Sequence, residues 1–470
     1  MNDTRRRFLK TLALGAGALS LHRPVRGDGP QRKPNIIFIL ADDLGYGDLG
    51  CYGQKQIRTP NLDKMAAEGM RFTQHYSGST VCAPSRATLM LGFHTGHLRT
   101  SSQGQKFQPE DVTVAKLLKQ AGYVTGCIGK WGLGQEGSPG IPTKQGFDYY
   151  VGYLSQVHAH NYYPEWLWRN EEKVKLRNVV TRPNKGYAKS LGGAATERVD
   201  YSHDLFTKEA LGFLERNKEK PFFLYLPYTI PHANNESRVL KRHGMEIPDY
   251  GIYKDKDWPD AQKGHAAMIS RLDRDVGALL AKLKELGIDD NTLVLFSSDN
   301  GPHKEGGANP DFFDSNGPLR GIKRDLYEGG VRLPLIARWP GKIKPGTTSD
   351  HISAFWDFLP TACNVAGIEP PKGIDGISYL PTLLGRTQPE HEYLYWEYGS
   401  RGGGKRAVRM GDWKLVELTS RKKGTPPTRR IELYSLKDDL GETKNLADQH
   451  PDIVKKMTAL LRAAKAPPKG

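Results

Sequence analysis

A chain of 470 residues, 37% hydrophobic and 26% charged, supplies one large core and a smaller one, and contains no apolar run of membrane-spanning length. Its four cysteines (Cys51, Cys82, Cys127 and Cys363) form no Cys-x-x-Cys pair and no Cys/His zinc spacing, which excludes a disulfide-built fold and a structural zinc site. The formal net charge is +16; residues 1–30 hold six basic and two acidic side chains, so +12 remains beyond them. Such a surplus favours polyanionic partners, and the lack of a helix-turn-helix, zinc-finger or RNP-like pattern argues against nucleic acid.

In chain order, Thr4-Arg5-Arg6-Arg7-Phe8-Leu9-Lys10 and the short apolar stretch Thr11 to Leu21 read as a twin-arginine export signal over residues 1–30. That implies a periplasmic or secreted protein, a mature start between Leu21 and Lys33, and no stable membrane anchor, because the stretch is too short to span a bilayer. Asn35 to Leu40 is a continuous apolar, β-type run, expected as a buried parallel strand. Helices are expected over Pro60 to Met70, Val112 to Ala121 and Ser202 to Asn217, and a long amphipathic one over Ala261 to Leu286. Strands are expected over Val124 to Ile128, Phe222 to Leu226, Thr292 to Phe296 and Leu335 to Trp339. This alternation predicts an α/β fold for residues 31–388, a large, mostly parallel or mixed sheet sandwiched by helices.

Near residue 385 the pattern changes. Gly385-Arg386-Thr387-Gln388-Pro389-Glu390 reads as a connector, and four short strands follow: Tyr393 to Glu397, Arg406 to Met410, Trp413 to Glu417 and Glu432 to Tyr434. With a closing helix over Pro451 to Ala464, residues 389–470 are expected to form a small domain, a four-stranded antiparallel sheet plus a helix. Thr419 to Arg430 is expected to be a loose hairpin loop.

Two strand ends carry chemistry. The first runs into Ala41-Asp42-Asp43-Leu44-Gly45 and a later one into Ser297-Ser298-Asp299-Asn300-Gly301. Ligand sites in open α/β sheets lie beyond the carboxyl ends of strands. Three carboxylates and an amide oxygen converging there suit Ca²⁺, with Mg²⁺ as the rival, since oxygen ligands alone do not settle ion size. Taken singly, each Asp also suits a turn or a cap. Between these segments lies Cys82-Ala83-Pro84-Ser85-Arg86, a cysteine without the flanks usual for a thiolate catalyst.

In these segments the chain resembles the formylglycine-dependent sulfatases of the alkaline phosphatase superfamily. The resemblance extends to Gly122-Tyr123 through Gly129-Lys130-Trp131, Pro221-Phe222-Phe223-Leu224, Tyr327-Glu328-Gly329-Gly330-Val331-Arg332, Glu432-Leu433-Tyr434 and Glu442-Thr443-Lys444-Asn445-Leu446. It implies an alkaline phosphatase-like fold and oxidation of Cys82 to Cα-formylglycine by a formylglycine-generating maturation enzyme. The hydrated aldehyde would be a gem-diol that attacks sulfur and then collapses to expel sulfate. Twin-arginine export carries folded proteins, so that modification could precede export.

The same resemblance implies roles by position. Asp42, Asp43, Asp299 and Asn300 would hold Ca²⁺ together with the modified Cys82, and Asp299 would also assist deprotonation of the attacking hydroxyl. Arg86 would orient the hydrated aldehyde, and Lys130 and Lys323 would bind the sulfate oxygens. His232, as imidazolium, would protonate the leaving-group oxygen.

The chain departs from the family pattern at Gly132, where a histidine commonly follows Lys-Trp; His158, His160 and His303 are candidate replacements as base. It departs again at Met90-Leu91-Gly92-Phe93, where Leu-Thr-Gly-Arg is common. The aromatic and polar loop Gln156 to Trp166, with His303 and Arg320, is the candidate sugar pocket, His158 or His160 contacting a hydroxyl next to the sulfated carbon. Hydrolysis of sulfate monoesters on a sulfated polysaccharide or its oligosaccharides is therefore expected. The alternatives are a phosphonate or phosphate ester hydrolase and a catalytically silent sulfated-glycan-binding homologue.

Overall fold

The structure, a computed structural model, describes residues 32–184, 189–400, 403–420, 424 and 426–466. The expected export signal lies outside the described residues, among which no helix is long and apolar enough to cross a membrane.

The main sheet contains β1 (Asn35–Ala41), β2 (Met70–Tyr76), β3 (Val124–Lys130), β4 (Tyr149–Tyr153), β5 (Trp166–Arg169) and β6 (Glu172–Lys175). After a separate hairpin of β7 (Val179–Thr181) and β8 (Ala194–Glu197), it continues with β9 (Phe222–Pro227), β10 (Thr292–Ser298), β11 (Arg332–Arg338), β12 (Thr347–Ser349) and β13 (Ser353–Ala354). The strand order is β12-β2-β11-β10-β1-β9-β3-β4-β5-β6, with β13 also on β2. The centre, β10-β1-β9-β3-β4, is parallel; β11 returns antiparallel to both β10 and β2.

Side chains of β1 alternate between two cores, as the period of two requires. Ile37 and Ile39 enter the core that holds Leu272, Val276 and Leu279 of the helix Asp260–Glu285. Ile36, Phe38 and Leu40 enter the opposite core with Leu118, Phe358 and Leu359. Helices thus cover both faces, so β1 is apolar from Ile36 to Ala41.

The second sheet is β14 (Leu394–Ser400), β15 (Gly403–Met410), β16 (Trp413–Ser420) and β17 (Thr428–Ser435), antiparallel throughout. One face packs Trp396, Ala407 and Val416 on Tyr76, Val331 and Trp356 of the main body; the other packs Val408 and Leu415 on Met457 and Leu461 of the helix Pro451–Ala463. The expected loose loop over Thr419 to Arg430 is shorter than the sequence suggests. Pairing reaches Ser420 opposite Thr428, and Arg429 lies across from Thr419 with its guanidinium on Glu417, so cross-strand charge pairing extends the hairpin beyond its apolar part.

Candidate active site

β1 and β10 run in register, Ala41 beside Ser298, so Asp42-Asp43 and Asp299-Asn300 leave the sheet together. The Asp43 amide donates to Asp299 Oδ1 at 3.1 Å, and Asn300 Nδ2 donates to Asp43 Oδ1 at 2.6 Å. Asp43 is held at φ 65, a left-handed conformation that a short polar side chain tolerates and that often marks a working site.

Cys82 opens the helix Cys82–Leu91, every residue of which is buried. Its Sγ lies 3.4 Å from Asp42 Oδ1 and 3.7 Å from Lys130 Nζ. Burial, then the Asp299 carboxylate, pushes this thiol well above its ordinary range, so the sulfur stays protonated and is a poor nucleophile as it stands. Four residues on, Arg86 donates from Nε (3.0 Å) and Nη2 (2.9 Å) to Asp299 Oδ2.

Lys130, at the end of β3, places Nζ 2.6 Å from Asp42 Oδ2. Lys323 places Nζ 2.7 Å from Asp43 Oδ2 and donates to His232 Nε2 at 3.0 Å, while His232 Nδ1 donates to the Ala233 carbonyl at 2.7 Å. Burial opposes ionisation of Asp42, but Lys130 and Arg86 hold it well below the usual carboxylate range. Burial, followed by the neighbouring Asp42, raises Asp299 to about 7.

His232 is pushed well below its ordinary value by burial and by Lys323. Burial and the adjacent ammonium thus favour the neutral imidazole over the imidazolium expected from sequence.

Ligand atoms of Asp42, Asp43, Cys82 and Asp299 all lie within 4.8 Å of one another. Asn300 Oδ1 is buried beside them with no hydrogen-bond partner among the described residues. An orphaned carbonyl oxygen among three carboxylates is what a hard, oxygen-seeking dication requires, so the residues fit Ca²⁺ or Mg²⁺.

The sulfatase family profile matches residues 34–368, with these side chains inside it. The chain belongs to the sulfatase family. A second profile, N-sulphoglucosamine sulphohydrolase C-terminal, matches residues 322–466. The sulfatase is 30% identical to N-acetylgalactosamine-6-O-sulfatase of Bacteroides thetaiotaomicron, across 97% of this chain and 98% of that protein. It is 32% identical to human (Homo sapiens) arylsulfatase A, across 96% and 90%. The solved structure of Ps i-CgsB with k-i-k-neocarrahexaose superposes with a TM-score of 0.76 at 28% identity, covering 93% of this chain and 94% of that one. The protein is thus a sulfuric ester hydrolase with an alkaline phosphatase-like fold.

A cavity of about 680 Å³ contains Cys82, Lys130, His160, His232 and Lys323 among its lining residues, a volume suited to a small ligand. His160 stacks on His232 with centroids 4.9 Å apart, and its Nδ1 meets Glu236 at 3.0 Å. His303 is buried on another side of His232, centroids 5.6 Å apart, with its Nε2 3.3 Å from the Pro231 carbonyl. His158 and Arg320 are not brought to this cavity. His158 packs against Tyr153 and Trp166 in the core. Arg320 lies 3.9 Å over the Tyr327 ring and donates to Tyr434 Oη (3.1 Å) and the Glu442 carbonyl (2.6 Å), tying the second sheet down.

Burial pushes His158 to about 3, and likewise His75 to about 3 and His94 to about 4. Each protonates near pH 6.5 when unfolded. Their depressed folded values make the stability they contribute complete above pH 6.5; it falls as acid protonates the unfolded chain, until the folded groups titrate near 4 and 3. Thermal denaturation between pH 7 and 4.5 is expected to show Tm falling, each His costing on the order of 1 kcal/mol per pH unit. His158→Phe should flatten that slope, and an unchanged slope would refute its part.

Sequence reasoning missed Glu305 and Lys106 in the cavity, and it named Gln156 only as the first residue of the candidate sugar-pocket loop. Glu305 lies 3.6 Å from Lys323 and 3.8 Å from His232. Lys106 sits in a Gly, Ser and Gln-rich segment that carries no motif. Gln156 fills the space that a side chain at residue 132 would take: Gly132 adopts φ +78, and a Cβ there would meet Gln156 Nε2 at 1.9 Å. Gly132→Ala is expected to lose about 1–2 kcal/mol to the left-handed backbone alone, and more to displacement of Gln156. Adding Gln156→Ala should recover the steric part in thermal denaturation; no recovery would mean that Gln156 is not what opposes a side chain there.

Proposed function

We propose that this sulfatase acts on sulfated carbohydrates, as an exported enzyme that uses a Cα-formylglycine made from Cys82 and a Ca²⁺ held by Asp42, Asp43, Asp299 and Asn300. The observation that carries the reading is the position of Cys82: a buried thiol, kept protonated, 3.4 Å from Asp42 and 3.7 Å from Lys130. A thiol in that state offers little nucleophilicity, whereas a hydrated aldehyde there supplies a hydroxyl. A bound dication supplies Lewis-acid polarisation of sulfate oxygens.

The chain's own side chains do the rest. Lys130 and Lys323 present ammonium groups to the sulfate, where charge redistributes during transfer. Arg86 fixes Asp299, the base for the attacking hydroxyl. His232, oriented by its Nδ1–H bond to Ala233, is placed to take the Lys323 proton at Nε2 and pass it to the leaving oxygen, which leaves Lys323 as the neutral amine. The cavity and the carbohydrate names of the relatives support a sugar substrate. Residues 1–30 serve as the twin-arginine signal to the periplasm or beyond, 31–388 as the catalytic domain and 389–470 as the small domain. A formylglycine-generating enzyme is the obligatory maturation partner.

The test is production with and without that maturation enzyme, followed by assay of p-nitrophenyl sulfate, phosphate and phosphonate esters and of defined sulfated oligosaccharides. Expected are maturation-dependent sulfate release and a higher kcat/KM on oligosaccharides than on p-nitrophenyl sulfate. Faster turnover of the phosphonate, or glycan binding without release, would overturn the proposal.

A further inference from the structure

Four cations line the cavity. Lys130 is paired with Asp42, Lys323 with Asp43, and Arg324 with Glu305. Lys106 alone among these, within the described residues, has no carboxylate partner; its Nζ reaches only the Gly132 carbonyl, at 3.4 Å. Glu136, the other acid in the lining, pairs instead with Lys173 at 2.9 Å. Lys106 is more than half buried, and burial alone pulls its ammonium below the usual lysine range, with no counter-charge acting against it. A cation desolvated without an anion is a cost the fold retains.

Gln156 repeats the pattern. Both Nε2 and Oε1 are shielded and, among the described residues, have no hydrogen-bond partner, although Gln156 lines the same cavity. The two side chains converge on one residue: the Lys106 ammonium on the Gly132 carbonyl, and the Gln156 amide where a Gly132 Cβ would project. Gly132 lies two residues beyond Lys130, and the Lys106 and Gln156 side chains both line the cavity that also contains Cys82 and Lys130.

We propose that Lys106 and Gln156 form a second anion-reading subsite, so that the enzyme prefers carbohydrates bearing another sulfate or a carboxylate besides the ester it cleaves. This rests on the carbohydrate sulfatase reading above. Lys106 contributes the charge; the Gln156 amide donates to the anion and accepts from a neighbouring hydroxyl. Both act in substrate selection and neither handles the reacting atoms.

The test uses matured full-length enzyme and three oligosaccharide sets that share one scissile sulfate: one with a second sulfate, one with a uronate, one with a neutral neighbour. Wild type is expected to show at least a tenfold higher kcat/KM on one of the anionic sets than on the neutral set, and the preferred set identifies the anion. Lys106→Met should collapse that ratio to near one, mainly through KM, and Lys106→Arg should retain it. Binding by Cys82→Ala protein, measured by calorimetry, should show the same preference and the same loss in the Cys82→Ala/Lys106→Met double variant. No preference in wild type, or a Lys106→Met ratio within twofold of wild type, overturns the subsite. Should no sulfate ester be cleaved, the carbohydrate sulfatase reading fails, and the binding preference still decides the subsite.

Discussion

Cys82→Ala is expected to lower sulfate-ester hydrolysis by about five orders of magnitude, the scale seen when a nucleophile is removed from a preorganised site. The loss should appear in kcat, because Lys130 and Lys323, the proposed sulfate-binding cations, remain in place. Stability should hardly change. Residue 82 is buried, and losing one sulfur opens only a small void, about 1 kcal/mol. Tm within a few degrees of wild type, together with lost turnover, separates a chemical role from a structural one. A variant that keeps more than a hundredth of wild-type kcat would show that another group attacks sulfur.

Lys414→Met is expected to destabilise the protein by about 3–5 kcal/mol, the range for breaking a buried ion pair from one side. Lys414 is fully buried, its Nζ 2.8 Å from Glu328 Oε1 and 3.2 Å from Glu442 Oε1. Glu328 also accepts from Tyr76 Oη at 2.6 Å and lies 3.3 Å from Arg332 Nη1, so it keeps partners after the change. Glu442 keeps only a neutral donor, the Glu328 amide, which reaches its Oε2 at 2.6 Å; burial already raises it to about 7, with Lys414 the main influence holding it down. The variant should therefore lose stability most at high pH and regain part as pH falls from 8 toward 6.5, since a raised carboxyl is favoured in its protonated form. Lys414→Met/Glu442→Gln should recover part of the loss in denaturant unfolding. A single variant within 1 kcal/mol of wild type would contradict this role for the cluster, which sits where the second sheet joins the main body.

What could be read from sequence followed from which signals survive without coordinates. The buried strands beginning at Asn35, Phe222 and Thr292 were legible because burial on both faces leaves an unbroken apolar run, and the acidic pairs were legible because they follow those runs. β2 was not: Arg71, Thr73 and Gln74 interrupt its pattern, and Met70 reads as the end of the preceding helix, which in fact stops at Ala67. The helix Cys82–Leu91 shows no amphipathic period because every face is buried. Nor could spacing separate His160, which reaches the cavity, from His158, two residues away in the core. Arg320 was expected in the sugar pocket, yet Tyr327 and Tyr434 engage it. Lys106 and Gln156 stand out only by lacking partners, a property that exists only once the chain is folded.

Mass spectrometry of the peptide carrying residue 82, from enzyme whose sulfate-release rate is measured on the same preparation, is the most direct test. The expected result is an aldehyde or its hydrate at that position, in a fraction that rises in proportion to activity as maturation enzyme is supplied. Fully active protein with an intact cysteine thiol there would contradict it.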